Sequence, residues 1–220
     1  MKKRKIKYKK VFIFIIILLM VCFTVYKIIN TSITSVYIIN NKYLSKDEIL
    51  RILKLDENTK LINTILLENR LNDNEYILNC KITHKNIFDI YIEVEENIPL
   101  YYNKMNNKSV LLSGEQVDRK FIVPVLMNEI PKDKIEKFNK EIKKVDIKTL
   151  NKISEINYTP TDKDKNLFLL SMTDGNYVYL TLDRFDNINT YLDIMNKLEP
   201  KINGKKGILY LDSGNYFDIL

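Results

Sequence analysis

Cysteine, histidine and tryptophan are scarce in this chain of 220 residues, which has two cysteines, one histidine and no tryptophan. Cys22 lies inside a long apolar run and Cys80 lies far outside it, so we do not expect the two to form a disulfide. A single histidine without suitably spaced carboxylates does not make a zinc-binding pattern. Glycine and proline, five of each, are too few for a long disordered stalk, so we expect packed domains.

Sequence signatures of catalysis are also missing, since the chain has no P-loop, G-x-S-x-G, S-x-x-K or H-E-x-x-H motif. The one pair that an exported cysteine enzyme could use is Cys80 and His84, four residues apart on a predicted strand. No third group there completes a catalytic arrangement. We therefore predict no catalytic, cofactor-binding or metal-binding residues. A cell-wall transpeptidase or hydrolase that uses Cys80 and His84 is the enzyme alternative.

The charge of the chain is concentrated at its start. Residues 1–10 contain seven lysines and arginines and no acid, whereas the whole chain has 35 bases and 28 acids. Residues 11–220 therefore contain equal numbers of bases and acids and are formally neutral. This distribution indicates a membrane topology and gives no support to a nucleic-acid-binding surface.

A continuous apolar run comes directly after this basic leader. Residues 11–26 include no charged side chain, and residues 28 and 29 extend the run past Lys27. A helix over 11–29 would rise about 28 Å, close to the thickness of the hydrocarbon core. The positive-inside rule then leaves residues 1–10 in the cytosol and the rest of the chain outside. A cleaved signal peptide is the alternative, but the apolar run is longer than usual and no A-x-A-like site comes after it.

Residues 30–34 are interpreted as a linker to a first exported domain. The β-branched run 35–39 predicts a strand, and Asn40-Asn41 predicts a turn. Ser45 and Glu48 have the spacing of a capping box at the start of a helix. A second short helix is predicted, with one apolar face for the core made of Leu61, Ile62, Ile65, Leu66 and Leu71.

Two strands complete this domain, over 77–85 and 87–96. In the second strand polar residues alternate with apolar ones, so we expect one buried face made of Phe88, Ile90, Ile92 and Val94. Pro99 is expected to end the run. The predicted order is strand, helix, helix, strand, strand.

The second exported domain begins near Tyr101 and is rich in predicted strands. Residues 110–117 predict a hairpin, 121–125 a short strand, and Pro131 the start of a helix. Asp174-Gly175 predicts a second hairpin between strands 167–172 and 177–182. An amphipathic helix over 188–198 and strands over 208–212 and 216–220 complete the chain.

In this order of elements the chain resembles the DivIB/FtsQ family of bacterial cell division proteins along nearly its whole length. The family's V-x-G-N…L-S opening is similar to residues 39–45, with Asn40 in place of glycine. Its I-x-V-x-E-R-x-P pattern is similar to residues 92–99, with Asn97 in place of arginine. Further similar segments are the hairpin 112–117, the segment 124–126 and the final strand 209–214.

The resemblance implies an α+β fold in which a single transmembrane helix precedes a POTRA-like domain, residues 35–100, and a β domain, residues 101–220. It implies a non-enzymatic divisome scaffold, a single-pass type II protein of the cell membrane found at the division septum. The implied partners are small FtsL-like and DivIC/FtsB-like single-pass proteins and a class B penicillin-binding transpeptidase. Through such contacts the family helps to recruit or regulate septal peptidoglycan synthesis.

The implied binding site is the exposed edge of the last sheet, to which an extended partner segment could add as a further strand. The edge strand of the POTRA-like domain could be used in a similar way. Because side chains alternate along a strand, part of this set should face the core. The predicted partner-binding residues are Leu209, Tyr210, Leu211, Ser213, Gly214, Tyr216, Phe217, Val36 and Ile38.

Two other functions remain open from the sequence. One is a POTRA-bearing component of envelope export or assembly, although such proteins normally carry several POTRA copies. The other is a membrane-anchored sensor of an unknown ligand.

Overall fold

A computed structural model of the chain describes residues 8–55, 59–60, 63–86 and 88–220. It divides the chain into two compact units, Met1–Asn97 and Ile98–Leu220. Residues 1–7 of the basic leader lie outside the described residues. So do Leu61, Ile62 and Ile87, which belong to predicted elements. The predicted α+β class is confirmed, and the assignment of the two units as POTRA-like and β domains remains a proposal.

The first helix, α1, spans Tyr8–Ile29, and its 22 residues would measure about 33 Å along the axis. None of its side chains is buried, and its mean hydropathy reaches 2.8. Within the described part of the chain it is the one helix long and apolar enough to cross a membrane. The predicted helix over 11–29 is confirmed as an apolar helix of spanning length.

The rest of the first unit is a three-stranded sheet with two helices. Strand β1 spans Ser35–Ile39, helix α2 Lys46–Leu53, helix α3 Thr64–Asn72, strand β2 Ile77–His84 and strand β3 Asp89–Glu96. The sheet has the order β1-β3-β2, in which β1 runs parallel to the central β3 and β2 runs antiparallel to it. The predicted order of strand, helix, helix, strand, strand is confirmed.

The start of α2 is explained by its sequence. The Ser45 hydroxyl accepts a hydrogen bond from the Glu48 amide at 3.2 Å, and the Glu48 carboxylate accepts one from the Ser45 amide at 2.8 Å. This reciprocal pair satisfies two amides that the first turn of a helix leaves without partners. Asn40 has a φ of 67°, as a turn at that position requires. The predicted capping box and turn are both confirmed.

Three apolar side chains of this unit are not buried where the sequence pattern placed them. Ile65 and Leu66 are 71% and 49% exposed, because Leu67 and Leu71, four residues apart, form the buried face of α3. Phe88 is 47% exposed, because β3 begins one residue later, at Asp89. The predicted buried positions of Ile65, Leu66 and Phe88 are therefore wrong.

A buried carboxylate joins the end of β3 to the loop before α2. Glu96 accepts hydrogen bonds from the amides of Lys42, Tyr43 and Leu44 at 2.7 to 3.1 Å. Charged acceptors make stronger bonds to amides than neutral ones do. Glu96 therefore holds the loop that positions Ser45 at the start of α2.

The second unit is built on one long sheet with helices against one face. Its strands are β4 Pro99–Asn103, β5 Lys108–Leu111, β6 Gln116–Val117, β7 Val125–Leu126, β8 Ile153–Tyr158, β9 Leu167–Met172, β10 Tyr177–Thr181, β11 Gly207–Tyr210 and β12 Tyr216–Ile219. Its helices are α4 Lys132–Ile142, α5 Ile147–Leu150, a 3₁₀ segment Leu182–Thr190 and α6 Tyr191–Ile202. The strand order is β12-β11-β10-β9-β8-β7-β4-β5-β6.

The two predicted hairpins of this unit are confirmed. The run of β3 ends at Glu96, before Pro99 as predicted, and Pro99 is also the first residue of β4, a position where proline is tolerated. Two boundaries differ from the prediction. The strand predicted over 121–125 is limited to Val125–Leu126. The helix predicted from Ile188 starts as a 3₁₀ segment and becomes α-helical only at Tyr191.

The core of the second unit is centred on Phe138 of α4. Its ring lies 5.3 to 5.5 Å from the rings of Tyr101, Phe168 and Phe185, at edge-to-face or stacked angles. Alternate residues of the strands, such as Leu170 and Leu209, complete this core. The side chains between them therefore lie on the other face of the sheet.

We predict that Glu96→Ala lowers the free energy of unfolding by about 2–3 kcal/mol, because it removes a charged acceptor from three amides. Urea denaturation of the part of the chain that follows α1 measures this change. Glu95→Ala is the matched control, since Glu95 is exposed on the neighbouring position of β3. Equal stability of the two variants would contradict the role assigned to Glu96.

Candidate partner-binding edge of the C-terminal sheet

Strand β12 is the outermost strand of the long sheet and pairs only with β11 among the described residues. The Leu220 amide donates to the Lys206 carbonyl at 3.0 Å, so the main chain of Leu220 faces β11. Along an antiparallel strand, the main-chain amide and carbonyl of every second residue point to the same neighbouring strand. The main chain of Asp218, two residues before Leu220, therefore also faces β11. The amides and carbonyls of Phe217 and Ile219 therefore point away from the sheet.

A glycine makes the pairing of β12 with β11 possible. A β-carbon on Gly207 would overlap the Asp218 carbonyl oxygen and lie 2.6 Å from the ring of Phe217. Real β-carbons do not approach other atoms so closely, so any other residue at 207 would displace β12. The half-buried Phe217 ring covers the space that this glycine leaves beside the core.

A row of tyrosines crosses the open face of the last three strands. Tyr179, Tyr210 and Tyr216 are directly opposite one another on β10, β11 and β12. The rings of Tyr179 and Tyr210 are stacked with centroids 5.5 Å apart, and those of Tyr210 and Tyr216 are stacked at 4.4 Å. We call these three residues the tyrosine row. Tyr216 at its end is exposed beside the unpaired edge.

The central Tyr210 of the tyrosine row is uncharged in neutral solution. Partial burial, together with Tyr216 and the Asp218 carboxylate, raises the pKa of the Tyr210 hydroxyl above its ordinary value. The row therefore offers flat apolar rings with hydroxyl groups that can donate or accept hydrogen bonds.

A buried polar network positions β11. The Asn176 side chain accepts a hydrogen bond from the Gly207 amide at 3.0 Å and donates one to the Tyr191 hydroxyl at 3.1 Å. The Tyr191 hydroxyl in turn donates to the Asp174 carboxylate at 2.7 Å. Burial and this carboxylate raise the pKa of Tyr191 well above its usual range. The turn before β10, helix α6 and the start of β11 are thus held together.

The structure brings together Tyr210, Tyr216 and Phe217 of the predicted set at one edge. Ser213 and Gly214 lie in the exposed turn between β11 and β12, where Gly214 has a φ of 140°. Their role in binding stays a prediction.

Leu209 and Leu211 need correction, because both are fully buried in the core. Leu209 alternates with the outward-facing Ile208 and Tyr210, and the Leu211 amide is bonded to the Tyr179 carbonyl at 2.8 Å. Their side chains cannot contact a partner while the unit is folded.

Two residues of the candidate site were missed from the sequence. Ile219 lies two residues beyond Phe217 on the unpaired edge, and Tyr179 belongs to the tyrosine row. The alternation of Tyr177 and Tyr179 with Val178 and Leu180 did indicate an aromatic open face, but not which strands lie beside it.

Val36 and Ile38 lie on β1, one of the two outer strands of the first unit. Their half-buried side chains pack against the core, while Tyr37 and Ile39 lie on the opposite face. The other outer strand is covered by α3, since the Cys80 amide donates to Asn72 at 2.9 Å and the Ile82 amide donates to Glu68 at 2.6 Å. Binding at Val36 and Ile38 stays a prediction.

The arrangement of Cys80 and His84 does not support the enzyme alternative. Burial and the Glu68 carboxylate raise the pKa of the Cys80 thiol to about 11, so the reactive thiolate is disfavoured. Cys80 is buried against α3, whereas His84 is exposed at the end of β2. Four residues of extended strand separate their Cα atoms by about 13 Å.

Comparison with known proteins gives relatives of one kind, although no family model matches the chain. The cell division protein DivIB of Bacillus subtilis is 26% identical over 86% of this chain and 74% of its own length. DivIB of Listeria monocytogenes is 27% identical over 98% of this chain and 83% of its own length. DivIB of Bacillus anthracis is 25% identical over 98% and 84%.

Among solved structures, the chain matches the major extracytoplasmic domain of DivIB from Geobacillus stearothermophilus, in its trans isomer. The match covers 48% of this chain and 97% of that domain, with 22% identity and a TM-score of 0.38. The similarity in sequence to DivIB proteins extends from the apolar helix to the final strands. The resemblance to the DivIB/FtsQ family is confirmed.

We predict that Gly207→Ala weakens the pairing of β12 by about 1–3 kcal/mol, the usual cost of forcing extra atoms into a packed site. The amides of Asp218 and Leu220 should then exchange with solvent faster, which hydrogen exchange detected by NMR or mass spectrometry measures. Ser213→Ala, in the exposed turn, is the control and should leave exchange unchanged. If the β12 amides of Gly207→Ala exchange as slowly as those of the unmodified chain, the pairing of β12 does not require a glycine at position 207.

Proposed function

We propose, from its similarity to the DivIB cell division proteins, that this chain is a membrane-anchored scaffold of the bacterial division machinery. In this proposal α1 crosses the membrane once, the basic leader stays in the cytosol, and residues 30–220 lie outside the cell membrane at the septum. The observation that carries the proposal is the unpaired edge of β12 beside the exposed end of the tyrosine row. The proposed activity is binding, without catalysis.

The proposed ligand of this edge is an extended segment of a small single-pass division protein of the FtsL or DivIC/FtsB type. Such a segment would pair with the main chain of Phe217 and Ile219 and become a further strand of the sheet. These two residues offer up to four main-chain hydrogen bonds, each with a net value of about 1 kcal/mol. Four such bonds correspond to a dissociation constant of about 1 mM. Main-chain pairing alone is therefore too weak for a lasting complex.

Side-chain contacts must supply the remaining affinity, and the sheet offers different surfaces on its two faces. Alternate residues of an added strand would lie beside Tyr216 and Asp218 on the open face. The residues between them would lie beside Phe217 and Ile219, at the margin of the core. An aromatic or β-branched side chain next to Tyr216 would extend the tyrosine row by one strand.

The proposed consequence of this binding is that small division proteins are held together at the septum. A class B penicillin-binding transpeptidase would be recruited or regulated through the same assembly. Nucleic acid has no place in this function, since the chain beyond residue 10 is formally neutral.

We predict that Ile219→Pro abolishes co-purification with the DivIC/FtsB-like partner from solubilised membranes. Proline removes the outward amide of residue 219 and leaves the bonds between β12 and β11 intact, because those come from Asp218 and Leu220. Ile219→Ala is the matched control, since it shortens the side chain and keeps the amide. Full co-purification of the proline variant would exclude strand addition at β12.

The tyrosine row is tested separately. We expect Tyr216→Ser to weaken partner binding about tenfold, which corresponds to about 1.4 kcal/mol and the value of one aromatic pair. Titration calorimetry with the extracytoplasmic part of the partner measures the affinity. Tyr43→Ser, in the first unit, is the control, and equal affinity of both variants would exclude the row from the site.

The septal location has its own test. A fluorescent protein fused to the N-terminus should give a band at mid-cell in dividing cells. Uniform envelope fluorescence would reject the division function and favour an export component or a sensor.

A further inference from the structure

Within the first unit, the sheet and its two helices begin directly after α1, with few residues between α1 and β1. The side chains of Asn30 and Thr31 donate to the carbonyls of Tyr26 and Lys27, both at 2.9 Å, and so cap the end of the helix. Ser32 then forms an isolated antiparallel bridge with Lys60. Residues 30–34, interpreted from the sequence as a linker, are thus hydrogen-bonded to α1 on one side and to the first unit's loop and sheet on the other.

The same bonds show which end of the first unit lies at the exit of α1. The Ile33 amide donates to the Thr59 carbonyl at 3.1 Å, and the Thr34 amide donates to the Phe88 carbonyl at 2.8 Å. The Lys60 ammonium also donates to the Asn30 side chain. Strands β1 and β3 both start here, with Ser35 opposite Asp89.

The opposite end of this sheet is far away. It is marked by Ile77 of β2, which pairs with Glu96 at the end of β3. The length of β3 places the two ends about 23 Å apart. Leu78, which is 39% exposed, lies at this distant end.

The end at the exit of α1 carries the three apolar side chains that the sequence pattern wrongly placed in the core. The Phe88 carbonyl accepts a hydrogen bond from the Thr34 amide, and Ile65 and Leu66 lie in the first turn of α3. The Asn63 amide, directly before α3, donates to the Lys60 carbonyl at 3.0 Å. All three are about half exposed or more. Lys60 and the exposed Lys85, whose amide is bonded to the Asp89 carbonyl, bring positive charge to the same end.

The position of α1 in the membrane determines how far this end of the unit lies from the outer membrane interface. If Tyr26 lies at the outer interface, Asn30 is four residues further on, or about 6 Å beyond it. The headgroup layer on each side of a bilayer is about 5–7 Å thick. Asn30 and the Lys60 ammonium bonded to it would therefore be level with the headgroups of the outer leaflet, and the exposed apolar residues lie at this same end of the unit. Apolar side chains flanked by lysines are typical of surfaces that bind there.

We propose that Ile65, Leu66 and Phe88 insert into the outer leaflet, so that the first unit rests on the lipid surface. The lipid buries apolar surface that the unit itself leaves exposed, and the Lys60 ammonium lies beside lipid phosphates. The Lys85 ammonium, which lies over the Tyr37 ring at 4.5 Å, adds positive charge close to this end. This insertion rests on the proposed crossing of the membrane by α1. Its result is that the first unit is held in one orientation on the membrane.

The absence of tryptophan from the chain allows a direct test with single tryptophan reporters. The full-length chain is reconstituted in nanodiscs of phosphatidylglycerol and phosphatidylcholine, with and without brominated acyl chains that quench tryptophan on contact. Ile65→Trp and Phe88→Trp report on the proposed contact. Leu78→Trp is the matched control at the distant end, and Phe23→Trp, inside α1, reports on the crossing itself.

We expect Ile65→Trp and Phe88→Trp to lose most of their emission in brominated nanodiscs and Leu78→Trp to keep almost all of it. Quenching of Phe23→Trp with bright emission from both residues 65 and 88 would overturn the lipid contact and leave the crossing by α1 intact. Equal quenching of residues 65, 78 and 88 would also overturn it, because the contact would not be confined to one end. An unquenched Phe23→Trp would overturn both the crossing and the contact.

Discussion

The alternation of side chains along a strand is the constraint on which both units of this protein depend. In each unit helices and strands share one core, so every second residue of a core strand is buried and its neighbours lie on the open face. In the second unit this rule buries Leu209 and at the same time places Tyr210 in the tyrosine row. The core and the candidate binding surface are therefore two sides of the same strands.

The outer strands β2 and β12 differ in whether their outward-facing main chain is covered. Strand β2 has its outward amides bonded to Asn72 and Glu68 of α3, which prevents another strand from pairing there. Strand β12 has no such cover among the described residues, although an exposed edge is an aggregation hazard. The edge of β2 is protected from strand pairing, whereas the edge of β12 is left open. This difference favours a binding function for β12, and its geometry fits the addition of a partner strand.

Exposed apolar side chains, Ile65, Leu66 and Phe88, lie at the end of the first unit next to the exit of α1. A soluble domain rarely keeps large apolar side chains together on its surface without a partner. In the proposed insertion, the short, bonded connection to α1 brings those side chains to the lipid headgroups. The lipid, and not the packing of the unit, would then explain why they are exposed to the surroundings of the domain.

The sequence by itself determined the elements that depend on local patterns, namely the apolar helix, the capping box at Ser45, the turn at Asn40 and the Asp174-Gly175 hairpin. These need only neighbouring residues to form, so spacing and residue type suffice. Only the tertiary structure decided that Tyr179 stacks beside Tyr210, that Asn176 holds Gly207, and that Leu67 rather than Leu66 faces the core. Each of these depends on contacts between segments far apart in the chain, and in the strands a shift of one residue would exchange the two faces.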